Sequence, residues 1–156
     1  MKAYETNFKN MAYVVRNLRD WDRREIMSSP QTHDLKSFIA GRLRFKGTTW
    51  IYGVDRPVYS IGAVPAYPGV WRLWGFATDE WPQVALSVTK FVRRVMLPML
   101  GRMGAQRLEF GALDGNETRR AWLEMLGAKF ESQKVGAGRG GENYNIFVVE
   151  RDRYVS

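Results

Sequence analysis

The stretch from Val70 to Phe130 leaves this chain few ways to fold. It reads as strand, long helix, strand, capped helix, strand. The first strand, "VWRLWGFA" (70–77), is apolar on both faces apart from Arg72, the pattern of a central strand covered on two sides. The helix that follows spans about Trp81 to Met103. Val84, Val88, Phe91, Val92, Val95 and Met99 make an apolar stripe at helical spacing, with Lys90, Arg93 and Arg94 on the opposite face. Pro98 predicts a kink or an early end. "QRLEFGAL" (106–113) is the next strand, and a crossover through so long a helix requires it to lie parallel to the first. Asn116 then caps a helix running to Leu126, Gly127 supplies the left-handed residue that stops it, and Phe130 re-enters the core on a strand.

The flanking sequence completes the pattern. "MAYVVRNL" (Met11 to Leu18) reads as a first strand leading into a helix from about Arg19 to Met27, broken by Ser28-Ser29-Pro30. Thr32 is placed to cap a second helix through "HDLKSFIAGRLRF", where Leu35, Phe38, Ile39 and Leu43 share a face. "TTWIYGV" and "PVYSIGAV" read as antiparallel strands joined at Asp55-Arg56. At the far end, "AKFESQKV" and "NYNIFVVER" bracket a Gly-rich loop and form a closing hairpin. The order is β-α-α-β-β-β-α-β-α-β-β, an α/β fold with a mixed central sheet. No internal repeat or linker divides it, so residues 1–156 are read as a single domain.

Composition excludes several classes of chemistry. With no cysteine, disulfides and thiolate catalysis are out, and His33 is the single histidine, so no ordinary His/Cys metal site is expected. The apolar run Val95–Leu100 is too short for a bilayer and contains Pro98. The first ten residues lack the apolar core of a secretory signal, which points to a soluble cytosolic protein. A net charge of +8 predicts attraction to polyanions. The basic residues are scattered rather than gathered, which weakens the nucleic-acid reading and leaves an acidic protein, a phosphorylated cofactor or simple solubility as what the charge serves.

The capped helix and its ending, "NETRRAWLEMLGAKF", taken with the element order, resemble the GNAT acyltransferase fold over nearly the whole chain. The resemblance implies that acetyl-CoA, or another acyl-CoA, is held as acyl donor between the two parallel strands and that its acyl group passes to an amine. On that layout the backbone of Trp74, Phe76, Ala77 and Thr78 pairs with the pantetheine arm. The turn from Asp79 to Gln83 takes the phosphates, and Asn116, Arg119 and Trp122 line the far wall. Asn116, Glu80 and Tyr144 are then the candidates for orienting groups and moving protons, with Asp79, Tyr52 and Tyr59 behind them.

Two departures from the family pattern stand out. Leu123 occupies the place where many members carry a Tyr as general acid. The turn "GFATDEWPQVA" has no glycine pair and sets Asp79 and Glu80 where a pyrophosphate would lie, unless their role is to complement the helix N-terminus. The loop "GAGRGGEN" precedes a strand instead of opening a helix, so it reads as a hairpin tip and not as a nucleotide fingerprint. Trp74, Phe76 and Trp122 gather near the expected cleft. If exposed they grip an acyl or pantetheine chain; if buried they plug it.

Among GNAT folds, "VWRLWGFA", "KFVRRVMLPML" and "RLEFGALDGNETRRAWLEMLGAKFES" look closest to small acetyltransferase-like and internal virion proteins of short-tailed bacteriophages. That resemblance implies either an N-acetyltransferase acting on a host protein or metabolite amine in the host cytoplasm, or a catalytically reduced relative. The latter binds partners in virion assembly or blocks a host enzyme. GNAT domains often pair, so a homodimer is implied as well.

Overall fold

The computed structural model describes residues 1–155. Its strands are β1 (Lys2–Tyr4), β2 (Thr49–Gly53), β3 (Pro57–Tyr67), β4 (Val70–Ala77), β5 (Arg107–Leu113), β6 (Ala128–Lys134) and β7 (Tyr144–Val149). They form one seven-stranded sheet in the order β1-β2-β3-β4-β5-β7-β6. β4 and β5 are parallel, as the long crossover demands, with Val70 opposite Arg107 and Leu73 opposite Phe110. The pairings β1–β2, β2–β3, β5–β7 and β6–β7 are antiparallel, so the sheet is mixed. Packing sorts the residues into two compact units, 1–63 with 74–88, and 64–73 with 89 onward.

In the first unit, α1 (Phe8–Arg16), α2 (Asp20–Ser28) and α3 (Leu35–Leu43) lie between β1 and β2. Met11 to Leu18 is therefore helical up to Arg16, and the first strand is Lys2–Tyr4, which pairs with Ile51 to Gly53. The reason is spacing: Met11, Val14, Val15 and Leu18 are buried at helical intervals. The Asn7 side chain accepts from the Asn10 N–H at 2.9 Å and starts the helix. A short apolar run supports either periodicity, and the cap decided it. Asp34, not Thr32, caps α3, accepting from the Ser37 N–H at 2.8 Å and its hydroxyl at 2.9 Å. The chain thus carries one helix more before β2 than the predicted order.

The crossover from β4 begins with a 3-10 turn (Trp81–Gln83) and continues as α4 (Ala85–Phe91), a π turn (Val92–Met96) and α5 (Leu97–Arg102). Pro98 falls in the first turn of α5. The π turn ahead of it absorbs the missing N–H without ending the helix. The extra residue in that turn rotates the stripe, so Val92, Met96, Leu97 and Leu100 are buried while Val95 is 47% exposed.

In the second unit, the Asn116 side chain accepts from the Arg119 N–H at 3.2 Å and caps α6 (Glu117–Met125). Gly127, at φ +91°, stops it. Leu123 and Leu126 are fully buried beneath the helix. β6 follows, but Phe130 is 46% exposed and does not re-enter the core. β6 is the edge of the sheet, and Phe130 rests edge-on against Phe147 of β7 at 6.0 Å.

Candidate functional site

The first unit holds the end of β4 and the turn after it. Trp74 and Phe76 are buried, their rings stacked at 5.4 Å. Gly62 on β3 makes room for the indole, since a Cβ there would run into the Trp74 ring. Ala77 is already stitched into the protein. Its N–H donates to Asp22 Oδ2 at 2.7 Å, and its carbonyl accepts the Arg19 N–H at 2.9 Å. The Thr78 N–H donates to the Val58 carbonyl at 2.9 Å.

The turn uses its own donors. The Glu80 N–H bonds to Thr78 Oγ1 (3.2 Å), Trp81 N–H to the Thr78 carbonyl (3.1 Å), Gln83 N–H to the Glu80 carbonyl (2.9 Å) and Val84 N–H to the Trp81 carbonyl (3.0 Å). Pro82 has no donor to give. An anion cradle works by converging unspent N–H groups, and these four are spent inside the turn. Glu80 is clasped by Arg56 through two bonds of 2.7 and 2.6 Å. Those hydrogen bonds hold the Glu80 carboxyl below its ordinary value, so it is a weak base. They also cancel one of the two negative charges on the turn. Asp79 and Gln83 are exposed beside it. Among the other sequence candidates in this unit, Tyr59 is buried against Trp81 at 4.5 Å. Burial pushes the Tyr52 phenol up to about 12, so it stays protonated at neutral pH and is a weak acid.

In the second unit, Asn116 is 5% exposed and committed to the cap, and Arg119 is buried one turn along α6. The Trp122 indole N–H donates to Thr89 Oγ1 at 2.8 Å, and its ring meets Phe110 edge-on at 6.3 Å. Tyr144 opens β7, half-buried, opposite Leu113 on one side and Lys134 on the other. Next to it, Asn145 bonds Asp114 at 3.0 Å and Gln133 at 2.9 Å. The Gly-rich loop folds around Glu142, which accepts the Gly138 N–H on its carbonyl (2.9 Å) and the Gly140 N–H on its carboxylate (2.9 and 3.2 Å). A hairpin tip is what these bonds build.

The structure thus gathers Trp74, Phe76, Ala77, Thr78, Glu80 and Gln83 in one unit, and Asn116, Arg119, Trp122 and Tyr144 in the other. Sequence reasoning missed Arg19, Asp22 and Arg56. One signal for Asp22 was present: Leu18, Asp22 and Ile26 recur at helical spacing, which places a carboxylate in an apolar stripe.

The sheet order, the parallel β4–β5 pairing and the helices between define the GNAT fold. No family model matches the sequence, and no curated protein matches it. Solved structures do match in fold. yncA from Salmonella typhimurium, solved with its cofactor acetyl-CoA, superposes with a TM-score of 0.71 at 10% identity, covering 99% of this chain and 95% of its own. Ard1 from Thermoplasma volcanium gives 0.70 at 12% identity over 96% of both chains. A GNAT-family acetyltransferase from Bacillus anthracis gives 0.64 at 13%, covering 96% of this chain and 94% of its own.

Proposed function

We propose that this chain binds acyl-CoA, acetyl-CoA foremost, and transfers the acyl group to an amine. The observation that carries the reading is the fold itself: the whole chain follows an architecture in which a neighbour holds acetyl-CoA as its cofactor. In this reading the pantetheine arm runs along β4 at Trp74, Phe76 and Thr78, and the phosphates lie over the turn to Gln83. Asn116, Arg119 and Trp122 are further candidates for contact with the cofactor. The chemistry is direct attack of a neutral amine on the thioester carbonyl. The amine nitrogen loses a proton, the carbon–sulfur bond breaks, and the thiolate is protonated. With Leu123 in place of a phenol, the proton for the thiolate comes from Tyr144 or solvent. Proximity supplies most of the rate. The resemblance to short-tailed phage proteins supports a host protein or metabolite as acceptor.

A second reading has its own support. The peptide groups of Ala77 and four amides of the turn are spent within the protein. A GNAT fold that has closed its cofactor slot serves as a binding surface for a virion or host protein. Isothermal titration with acetyl-CoA and with free coenzyme A separates the two. Micromolar binding of both supports the acyltransferase. No heat at millimolar ligand, with the protein shown folded, supports the partner-binding protein.

A further inference from the structure

Arg42, on α3, lies over two aromatic rings. Its guanidinium carbon is 4.7 Å from the Phe38 ring centre and 5.1 Å from that of Trp74. Phe38 in turn packs on Phe76 at 5.6 Å, so the cation tops a cluster of three rings from α3 and β4. No carboxylate or carbonyl among the described residues accepts a bond from this guanidinium. Its Nε is buried and unpaired. The indole N–H of the same Trp74 is also buried and unpaired, in a side chain 8% exposed. Both groups are donors only. Burial without a counter-charge pushes the Arg42 guanidinium down to about 10.

Several other arginines of the chain have a carboxylate partner. Arg19 has Asp22, Arg56 has Glu80, and Arg107 has Glu109 and Glu131. An arginine kept unpaired on an aromatic floor costs stability, and a missing acceptor is the simplest account of it. Arg42 and Phe38 are half-buried, so solvent reaches the cluster on the α3 side.

We infer that this cluster is a carboxylate-recognition site: Arg42 takes the carboxylate of a small amine-bearing molecule, with the Trp74 N–H as second donor and Phe38 as apolar wall. One guanidinium matches the single charge and planar fork of a carboxylate. A phosphate monoester would leave a second negative charge against the rings. That this carboxylate belongs to the acyl acceptor rests on the acyltransferase reading; that the site binds carboxylate does not.

The test titrates the full chain, with no acyl-CoA present, against phenylacetate, its neutral amide and inorganic phosphate. Phenylacetate should bind saturably and the amide should not. Arg42→Gln should weaken phenylacetate at least about tenfold, as loss of a charge-assisted contact implies, and Arg42→Lys should recover part of it. Arg42→Gln should melt no lower than the parent, because an uncompensated charge is gone. Equal binding of amide and acid overturns the inference, as does unchanged affinity in Arg42→Gln. Phosphate binding as tightly as phenylacetate overturns the carboxylate assignment. A marked fall in the Arg42→Gln melting temperature makes the residue a structural cover for the rings and overturns it too. Failure to bind acetyl-CoA is read in a separate titration and leaves the result intact.

Discussion

Asp22 and Ala77 stand 55 residues apart in sequence, yet the Asp22 carboxylate accepts the Ala77 peptide N–H at 2.7 Å. The same oxygen takes Arg19 Nε at 2.7 Å, and the side chain is 1% exposed. This contact closes the α1–α2 corner onto the end of β4.

Removing that carboxylate strands a half-buried guanidinium and a buried peptide donor. Asp22→Ala should destabilise the protein by about 3–5 kcal/mol, the cost of breaking a buried pair. Urea denaturation measures it. A loss within experimental error of zero would show that the corner is held by other contacts.

Glu80 bears on the turn proposed to take the phosphates. Glu80→Gln removes a negative charge and frees Arg56, so acetyl-CoA should bind about three- to tenfold tighter at low salt, with the gain fading as ionic strength rises. Titration at two salt concentrations checks this. Unchanged affinity would place the phosphates away from this turn.

Asn116 separates capping from ligand contact. Asn116→Ala should cost about 1 kcal/mol of stability, and Asn116→Asp should restore the cap. If Asn116 also touches the cofactor, Asn116→Asp recovers the melting temperature but not the affinity for acetyl-CoA. Recovery of both assigns the residue to the cap alone.

Gly62 makes the seat of Trp74. A Cβ at this position meets the indole, and Gly62→Ala should cost about 1–3 kcal/mol through overpacking. The double variant Gly62→Ala with Trp74→Leu should regain most of it. Additive losses, measured by thermal melting, would contradict the seat.

Acid should unfold the chain through its arginine-bound carboxylates. Arg56 holds Glu80 low, and Arg107 does the same for Glu131. Burial pushes Glu109 up, but the bonds from Arg72 and Arg107 outweigh it and leave it lowered. A lowered folded value means the stabilisation is whole above the unfolded value of 4.5 and is lost as pH falls through the folded values. The melting temperature should therefore hold from neutral pH to about 5 and drop below 4.5. Glu109→Gln should flatten that drop. A midpoint falling steeply between pH 7 and 5 would need another titrating group.

Some of this was legible locally. The Asn116 cap, the Gly127 stop and the parallel β4–β5 pair follow from signals carried by adjacent residues or by one helix length. The same local signals misled at Met11 to Leu18, where a short apolar run fits two periods and Asn7 settles the choice by capping a helix. Phe130 failed for a related reason: its strand was readable, but its place at the sheet edge depends on strand order.

The sequence by itself determined the α/β class and the β4-to-β6 core, because helix stripes, caps and turn glycines act over a few residues. Only the tertiary structure decided how the charges pair. Arg56 meets Glu80 across 24 positions and Asp22 meets Ala77 across 55, while Arg42 is left without an acceptor among the described residues. Such pairings are set by which elements the sheet order brings within about 3 Å, a distance at which a hydrogen bond is made or lost, and no local pattern encodes them.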